Sequence, residues 1–315
     1  MLDKLKFWVG LTDKQWFNYL ASLQPDEVNF WQPGGTTNFR VLQPGELFLF
    51  KLHAPDNYIV GGGWFVSHSF LPLSRAWEAF AEKNGAPNHE QLRTKILAYR
   101  RDMAIPDPTI GCIILAKPFF FRPDEWIKTP SDWSPNIVQG KTYSLDNPTG
   151  HALWKEVTLR LNTIEAQPIE GQEHELLVKT SALYGQEYLA KARLGQGAFR
   201  VLVTDAYNRR CAITGERTLP VLEAAHIKPY VNEGPHHIDN GLLLRSDLHK
   251  LYDRGYLTIN PDFQVEVGRR IKEEFENGRD YYALHGQPLT NLPDNSAWRP
   301  AREFIEWHNE NVFLW

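Results

Sequence analysis

The sequence predicts an α+β chain of two units, a strand-rich aromatic half followed by a half organised around one strand–loop–strand–helix stretch. Three observations carry this. Short runs of buried-type residues bounded by turn residues alternate with helical spacings through the first 165 residues. Aromatic residues make up 13% of the chain, and many of the Trp and Phe lie in the first half. From Leu222 to Asp253 the order is strand, loop, strand, helix, with a His at a strand end, an Asn in the loop, and a His and an Asp on the helix.

Residues 5–11 read as an opening strand. Thr12 and Asp13 offer an N-cap for a helix in which Trp16, Phe17, Leu20 and Leu23 repeat at helical spacing, and Pro25 stops it. Val28 to Gly35 reads as an aromatic loop. Pro44-Gly45 turns the chain into a strand over Glu46–His53, and Pro55 to Asn57 turns it back into Tyr58–Val66, whose glycines suggest a bulge or a close backbone approach. Helices follow over Leu73–Asn84, stopped by Gly85, and His89–Arg101, capped by Asn88. Ile110–Leu115 and Pro118–Phe121 are strand-like, Trp126 to Tyr143 is loop-rich, and His151–Leu161 is a short helix or strand. The expected result is a small α+β unit on a strongly curved sheet over residues 1–165.

Residues 166–190 read as a linker grading into a helix, and 191–315 as the second unit. There, helical patterns over Glu187–Arg193 and Ala198–Tyr207 flank Gly195-Gln-Gly197, and Cys211–Glu216 reads as a short strand and turn. Beyond Asp253 come a strand pair (Tyr256–Ile259, Phe263–Val267), a helix over Arg270–Phe275 and a final helix over Ala301–Asn311.

Composition narrows the function classes. With 315 residues, 42% hydrophobic and 23% charged, the chain is long enough for two cores. No run of about 18 apolar residues occurs, and the first ten residues carry no secretory pattern. Two separated cysteines, Cys112 and Cys211, suit a reducing cytoplasm, and no structural zinc is expected. A net charge of −4 argues against nonspecific coating of nucleic acid. Between Lys191 and Arg254, however, ten Lys/Arg stand against seven Asp/Glu, so the second half is the one suited to face phosphate.

The chemistry-bearing residues fall in that window. Hydrolysing a phosphodiester near neutral pH requires a base for the attacking water and a positive charge on the phosphate and leaving oxygen. His226, ending a strand, suits the base. Asn240 can bridge the loop and fix it. His249 and Asp253 lie one helical turn apart on one face, so both can reach a single divalent cation, Mg²⁺ or Mn²⁺. Arg193, Gln196 and Arg200 around the glycine turn, with Lys228 and Arg245, suit DNA phosphate contacts. His236 and His237 read as exposed loop histidines, and His285 and His308 as tail residues.

Ala225-His226-Ile-Lys-Pro-Tyr, Asn240-Gly-Leu-Leu-Leu-Arg-Ser-Asp-Leu-His249-Lys-Leu-Tyr-Asp253 and Arg193-Leu-Gly-Gln-Gly-Ala-Phe-Arg200 together resemble an HNH (ββα-metal) endonuclease of the bacterial restriction type, over residues 187–275. The resemblance implies His226 as general base, Asn240 as loop-fixing residue, and His249 as metal ligand, with Asp253 at a further ligand position. One departure is Ala225, where many such sites carry an Asp or His ligand. Strand geometry sets Glu223 about 7 Å further along, a weak substitute.

The first half resembles the EVE branch of the PUA-like fold, related to the SRA and YTH base readers. The residues carrying this are Phe7-Trp-Val-Gly10, Asn29-Phe-Trp-Gln-Pro33, Gly45 to Lys51, Ile59 to Phe65 and Leu71-Pro-Leu73. The resemblance implies flipping of a modified base into an aromatic pocket. Trp31 is the first candidate for a pocket wall and Asn29 for reading a base edge, with Trp8, Phe70 and Trp133 as further candidates. The two resemblances imply a modification-dependent restriction endonuclease. It would act on double-stranded DNA carrying 5-methyl- or 5-hydroxymethylcytosine, and as a homodimer, since each ββα site cuts one strand. The alternatives are an inactive sensor of modified DNA, which Ala225 favours, and an HNH nuclease of broad specificity.

Overall fold

A seven-stranded sheet organises the N-terminal half of the computed structural model, which describes residues 6–100, 105–165 and 194–315. The chain divides into two units, Met1–Tyr188 and Leu189–Trp315. In the first, β1 (Lys6–Thr12), β2 (Glu27–Gln32), β3 (Leu47–Leu52), β4 (Tyr58–Pro72), β5 (Thr109–Phe120) and β7 (Gly140–Ser144) run in the order β2-β5-β4-β3-β1-β7. The two-residue β6 (Ile127–Lys128) pairs with β4. β1 and β3 are parallel, and the other pairings are antiparallel.

Both faces of this sheet are covered, which explains why β3 is buried along its whole length. Phe48 and Phe50 point into one core with Trp16, Phe17 and Leu20 of α1 (Lys14–Leu23). Leu47 and Leu49 point into the other with Leu153 and Val157 of α4 (Pro148–Glu165). Period-two alternation thus separates two apolar sets on one strand. Asp13 caps α1 by accepting the Trp16 N–H at 2.7 Å, and Gln24, in a left-handed conformation, ends it one residue ahead of Pro25. The glycines of β4 permit close approach, because a Cβ at Gly61 would strike the Phe119 carbonyl, and the β4–β5 register shifts between Gly62 and Trp64. Helices α2 (Leu73–Phe80) and α3 (His89–Ala98) connect β4 to β5.

Several boundaries differ from those the sequence suggests. The expected loop from Val28 contains strand β2, because Glu27 to Gln32 pair residue by residue with Ala116 to Gly111. The two short strands expected around Lys117 are one strand, β5, whose Lys117 adopts a positive φ of 45°. The segment His151–Leu161 is the middle of an 18-residue helix. The linker expected over 166–190 and the helix over Glu187–Arg193 lie outside the described residues.

In the second unit, α5 (Gln196–Ala206) packs on an antiparallel hairpin of β8 (Leu222–His226) and β9 (Gly241–Arg245), which runs straight into α6 (Ser246–Asp253). Gly241 is required at the contact, since a Cβ would meet Val203 and Phe199 of α5. The expected strand at Cys211–Glu216 is instead a tight turn, in which the Gly215 N–H donates to the Cys211 carbonyl at 3.0 Å. A second hairpin, β10 (Leu257–Ile259) and β11 (Val265–Val267), is followed by α7 (Arg270–Phe275), α8 (Arg279–Tyr282) and α9 (Arg302–Asn311). The architecture is the expected α+β: a curved, helix-covered sheet followed by a ββα unit. Among the described residues no helix is long and apolar enough to cross a membrane.

Candidate active site

The end of β8, the start of the following loop and one face of α6 converge on a cavity of about 270 Å³, lined by Gln196, Phe199, Arg200, Ala224, His226, Tyr230, His249, Asp253 and His308 among others. Strand alternation decides what β8 offers it. Ala224 and His226 line the cavity, whereas Ala225 faces the core with no exposed surface. A larger polar side chain at 225 would begin its course inside that core.

His226 is held from two directions. Its ring stacks on Phe199 at 3.8 Å and 9°, and its Nε2 lies 2.8 Å from Nδ1 of His236. Burial lowers its pKa to about 4, helped by the cationic forms of His236 and His249 and by Arg200. The imidazole is therefore neutral at neutral pH and able to accept a proton. His236 is not a solvated loop residue. It is half-buried and stacks on Tyr230 at 4.7 Å and 9°.

Asn240 has no exposed surface. Its Oδ1 accepts the Lys228 N–H at 2.9 Å, and its Nδ2 donates to the carbonyls of Lys228 and Pro235, each at 2.9 Å. The Ile227 N–H adds a bond to the Asn240 backbone carbonyl at 2.9 Å. One side chain thereby closes both ends of the 227–240 loop against the hairpin, and that closure brings His236 back onto His226.

His249 stands between two carboxylates. Its Nδ1 is 2.6 Å from Glu223 Oε2, and its Nε2 is 3.3 Å from Asp253 Oδ2. Glu223 is therefore in direct contact with His249, although Cα spacing along the strand sets it about 7 Å beyond position 225. Carboxylate reach, not Cα spacing, decides this. With Nδ1–H donated to Glu223, the Nε2 lone pair faces Asp253, a carboxylate–histidine arrangement that orients a metal ligand. Burial and the Glu223 charge push the Asp253 carboxyl above its ordinary range, against the opposing pull of His249. A cation bound here would offset the repulsion between Asp253 and Glu223. Among the described residues no three or more His, Cys, Asp or Glu gather as a metal cage. One imidazole nitrogen and one carboxylate fit a hard divalent cation that completes its shell with water and phosphate oxygens.

Of the expected phosphate contacts, Gln196 and Arg200 line the cavity. Arg245 is held by Asp247 at 2.6 and 2.8 Å, and the Lys228 ammonium sits 5.6 Å over the Trp307 ring. Arg193 lies outside the described residues. His308 is not a loose tail residue. Its ring stacks on Tyr252 at 3.8 Å, its Nε2–H donates to the Tyr252 carbonyl at 3.1 Å, and Nδ1 is 2.8 Å from Thr258 Oγ1. His285 accepts the Val267 N–H at 3.1 Å.

The N-terminal unit has its own cleft of about 470 Å³, with aromatic walls from Trp16, Phe30, Trp31 and Tyr99 and polar groups from Asp13, Gln32 and His53. Trp31 reaches it from β2, its indole N–H anchored on the Asn84 carbonyl at 3.0 Å. The other expected pocket residues lie elsewhere. Asn29 is fully buried, and its Nδ2 donates to Asn84 Oδ1 at 2.8 Å. Trp8 packs edge-on against Phe39, Phe70 against His68, and Trp133 under the Lys51 ammonium at 5.0 Å. Strand register explains Asn29. Residues 29 and 31 share a face, but residue 29 sits deeper in the sheet, opposite Ile114. Tyr99, missed in the sequence, reaches the cleft from the end of α3 with its ring 6.2 Å from that of Trp31.

Residues 211–260, within the C-terminal unit, match the HNH endonuclease family model. No curated protein matches the chain. Among solved structures, the chain is similar to the ASCH protein of Zymomonas mobilis, with 8% identity and a TM-score of 0.31 over 47% of this chain and 94% of that one. It is also similar to a modification-dependent TagI restriction endonuclease, with 14% identity and a TM-score of 0.27 over 91% of this chain and 75% of that one. At such scores neither likeness constrains the site.

Proposed function

We propose that this chain is a divalent-metal-dependent DNA endonuclease directed by a modified base, with His226 as general base and the N-terminal cleft as the reader. The observation that carries the nuclease chemistry is the convergence of a neutral, buried-ring His226 with the His249–Asp253 pair in one cavity inside the HNH-matched segment. His226 takes the proton of the attacking water. Asn240 holds the loop that carries this geometry. His249 Nε2 and Asp253 would hold the cation, with Glu223 orienting His249. When bound, the cation supplies positive charge to the scissile phosphate. Gln196 and Arg200, which line the same cavity, suit the flanking phosphates.

An aromatic cleft with a few polar groups suits a flipped base, stacked on Trp31 and Tyr99 with its edge toward Asp13 or Gln32. Modified cytosine is the substrate we assign, and a homodimer supplies the second cut. Two features of β8 favour the nuclease reading over an inactive sensor. Ala225 faces the core, and Glu223 reaches His249 without it.

The test is cleavage of otherwise identical plasmids, unmodified and cytosine-modified, with Mg²⁺ or Mn²⁺ and with the His226→Ala variant. Cutting confined to the modified plasmid and lost in the variant is expected. Equal cutting of both plasmids would remove modification reading. No cutting with any divalent metal would remove the nuclease. Undiminished cutting by the variant would remove His226 as base.

A further inference from the structure

We propose that His236 is a positioning residue that selects the catalytically competent tautomer of His226. The nitrogens His226 Nε2 and His236 Nδ1 are 2.8 Å apart, so one proton lies between them. If His236 donates it, His226 Nε2 is the acceptor, and its own proton must sit on Nδ1. No lone pair is then left on the ring for a water. If His226 donates it, its Nδ1 carries the lone pair and can take a proton from water. Only the second arrangement makes a base. It requires a deprotonated Nδ1 on His236 and hence the Nε2–H tautomer of that ring.

The surroundings make this pair a built feature. Tyr230 stacks on His236 at 9° and Phe199 stacks on His226 at 9°, which fixes both ring planes around the shared proton. The loop between the rings is closed by Asn240, whose Nδ2 bonds the Pro235 carbonyl immediately before His236. When His226 becomes an imidazolium on taking the water proton, its Nε2–H continues to donate to His236. The acceptor therefore also stabilises the charged form.

This inference rests on the reading of His226 as the base, and the experiment separates the two. The full-length, metal-free protein is labelled with ¹⁵N-histidine, and the His226 imidazole shifts report its tautomer. Steady-state cleavage of the modified plasmid then reports kcat and KM. The wild type is expected to show Nε2–H. His236→Ala is expected to shift His226 toward Nδ1–H or a mixture and to lower kcat by about tenfold or more with KM unchanged, as for other groups that orient a reacting histidine. His236→Asn, whose amide oxygen can occupy the place of Nδ1, is expected to restore both. The proposal is overturned if His236→Ala leaves tautomer and kcat unchanged, or if Asn does no better than Ala. If the tautomer responds to His236→Ala while His226→Ala cuts like the wild type, the positioning stands as structure and the base assignment falls.

Discussion

Replacing Asn240 with Ala removes three side-chain hydrogen bonds, each 2.9 Å long, from a residue with no exposed surface. Each bond contributes about 1 kcal/mol net, and the Lys228 N–H and the two carbonyls left behind add a desolvation penalty, giving a loss of about 3–5 kcal/mol. Set against a total stability of about 5–15 kcal/mol for an ordinary domain, this is a large fraction. Asn240→Asp is expected to do no better. It keeps an acceptor for the Lys228 N–H but turns a carboxylate toward the Lys228 and Pro235 carbonyls. Urea unfolding of the full-length chain gives the free energy, and amide exchange at Lys228 gives the local signature. A loss below about 1 kcal/mol, or unchanged protection of the Lys228 amide, would show that the loop closes without this side chain and that its reading as the fixing residue is wrong.

Two further outcomes follow from the same unit. Burial lowers the His308 pKa from 6.5 to about 4, so the unfolded chain binds the proton more tightly. The stability this contributes is present above pH 6.5 and is lost as the pH falls toward 4. Between pH 7 and 4.5 the wild type should therefore lose about 2 kcal/mol more than His308→Gln in urea unfolding, and parallel losses would refute the assignment. Glu223→Gln keeps an acceptor for His249 Nδ1 but removes its charge, and should weaken Mn²⁺ binding by about tenfold in calorimetry on the full-length protein. Unchanged affinity would separate Glu223 from the cation site.

Residue spacing alone made the ββα core legible. The strand ending at His226, the strand from Gly241 and the helix bearing His249 and Asp253 appear where their alternating and helical patterns place them. Local pattern suffices there because each element buries one face against its sequence neighbours. The same reasoning does not reveal the burial of Asn29 or the contacts that Glu223 and His236 make. Asn29 shares the strand face of Trp31, yet depth within the sheet is fixed by pairing with β5, which is more than eighty residues away. Glu223 stands about 7 Å beyond position 225 by Cα spacing, but its long side chain brings the carboxylate to His249.

The sequence by itself determined the α+β class, the order of the two units and which residues are the candidates for accepting a proton or holding a cation. Those properties follow from residue chemistry and short-range periodicity. Only the tertiary structure decided which face of β8 meets the cavity, which nitrogens of His249 the two carboxylates take, and that His236 returns to His226. These depend on loop closure through Asn240 and on the packing of Phe199 from a separate helix. Contacts between residues distant in sequence leave no mark on local pattern, because the side chains that make them are ordinary until the chain brings them together.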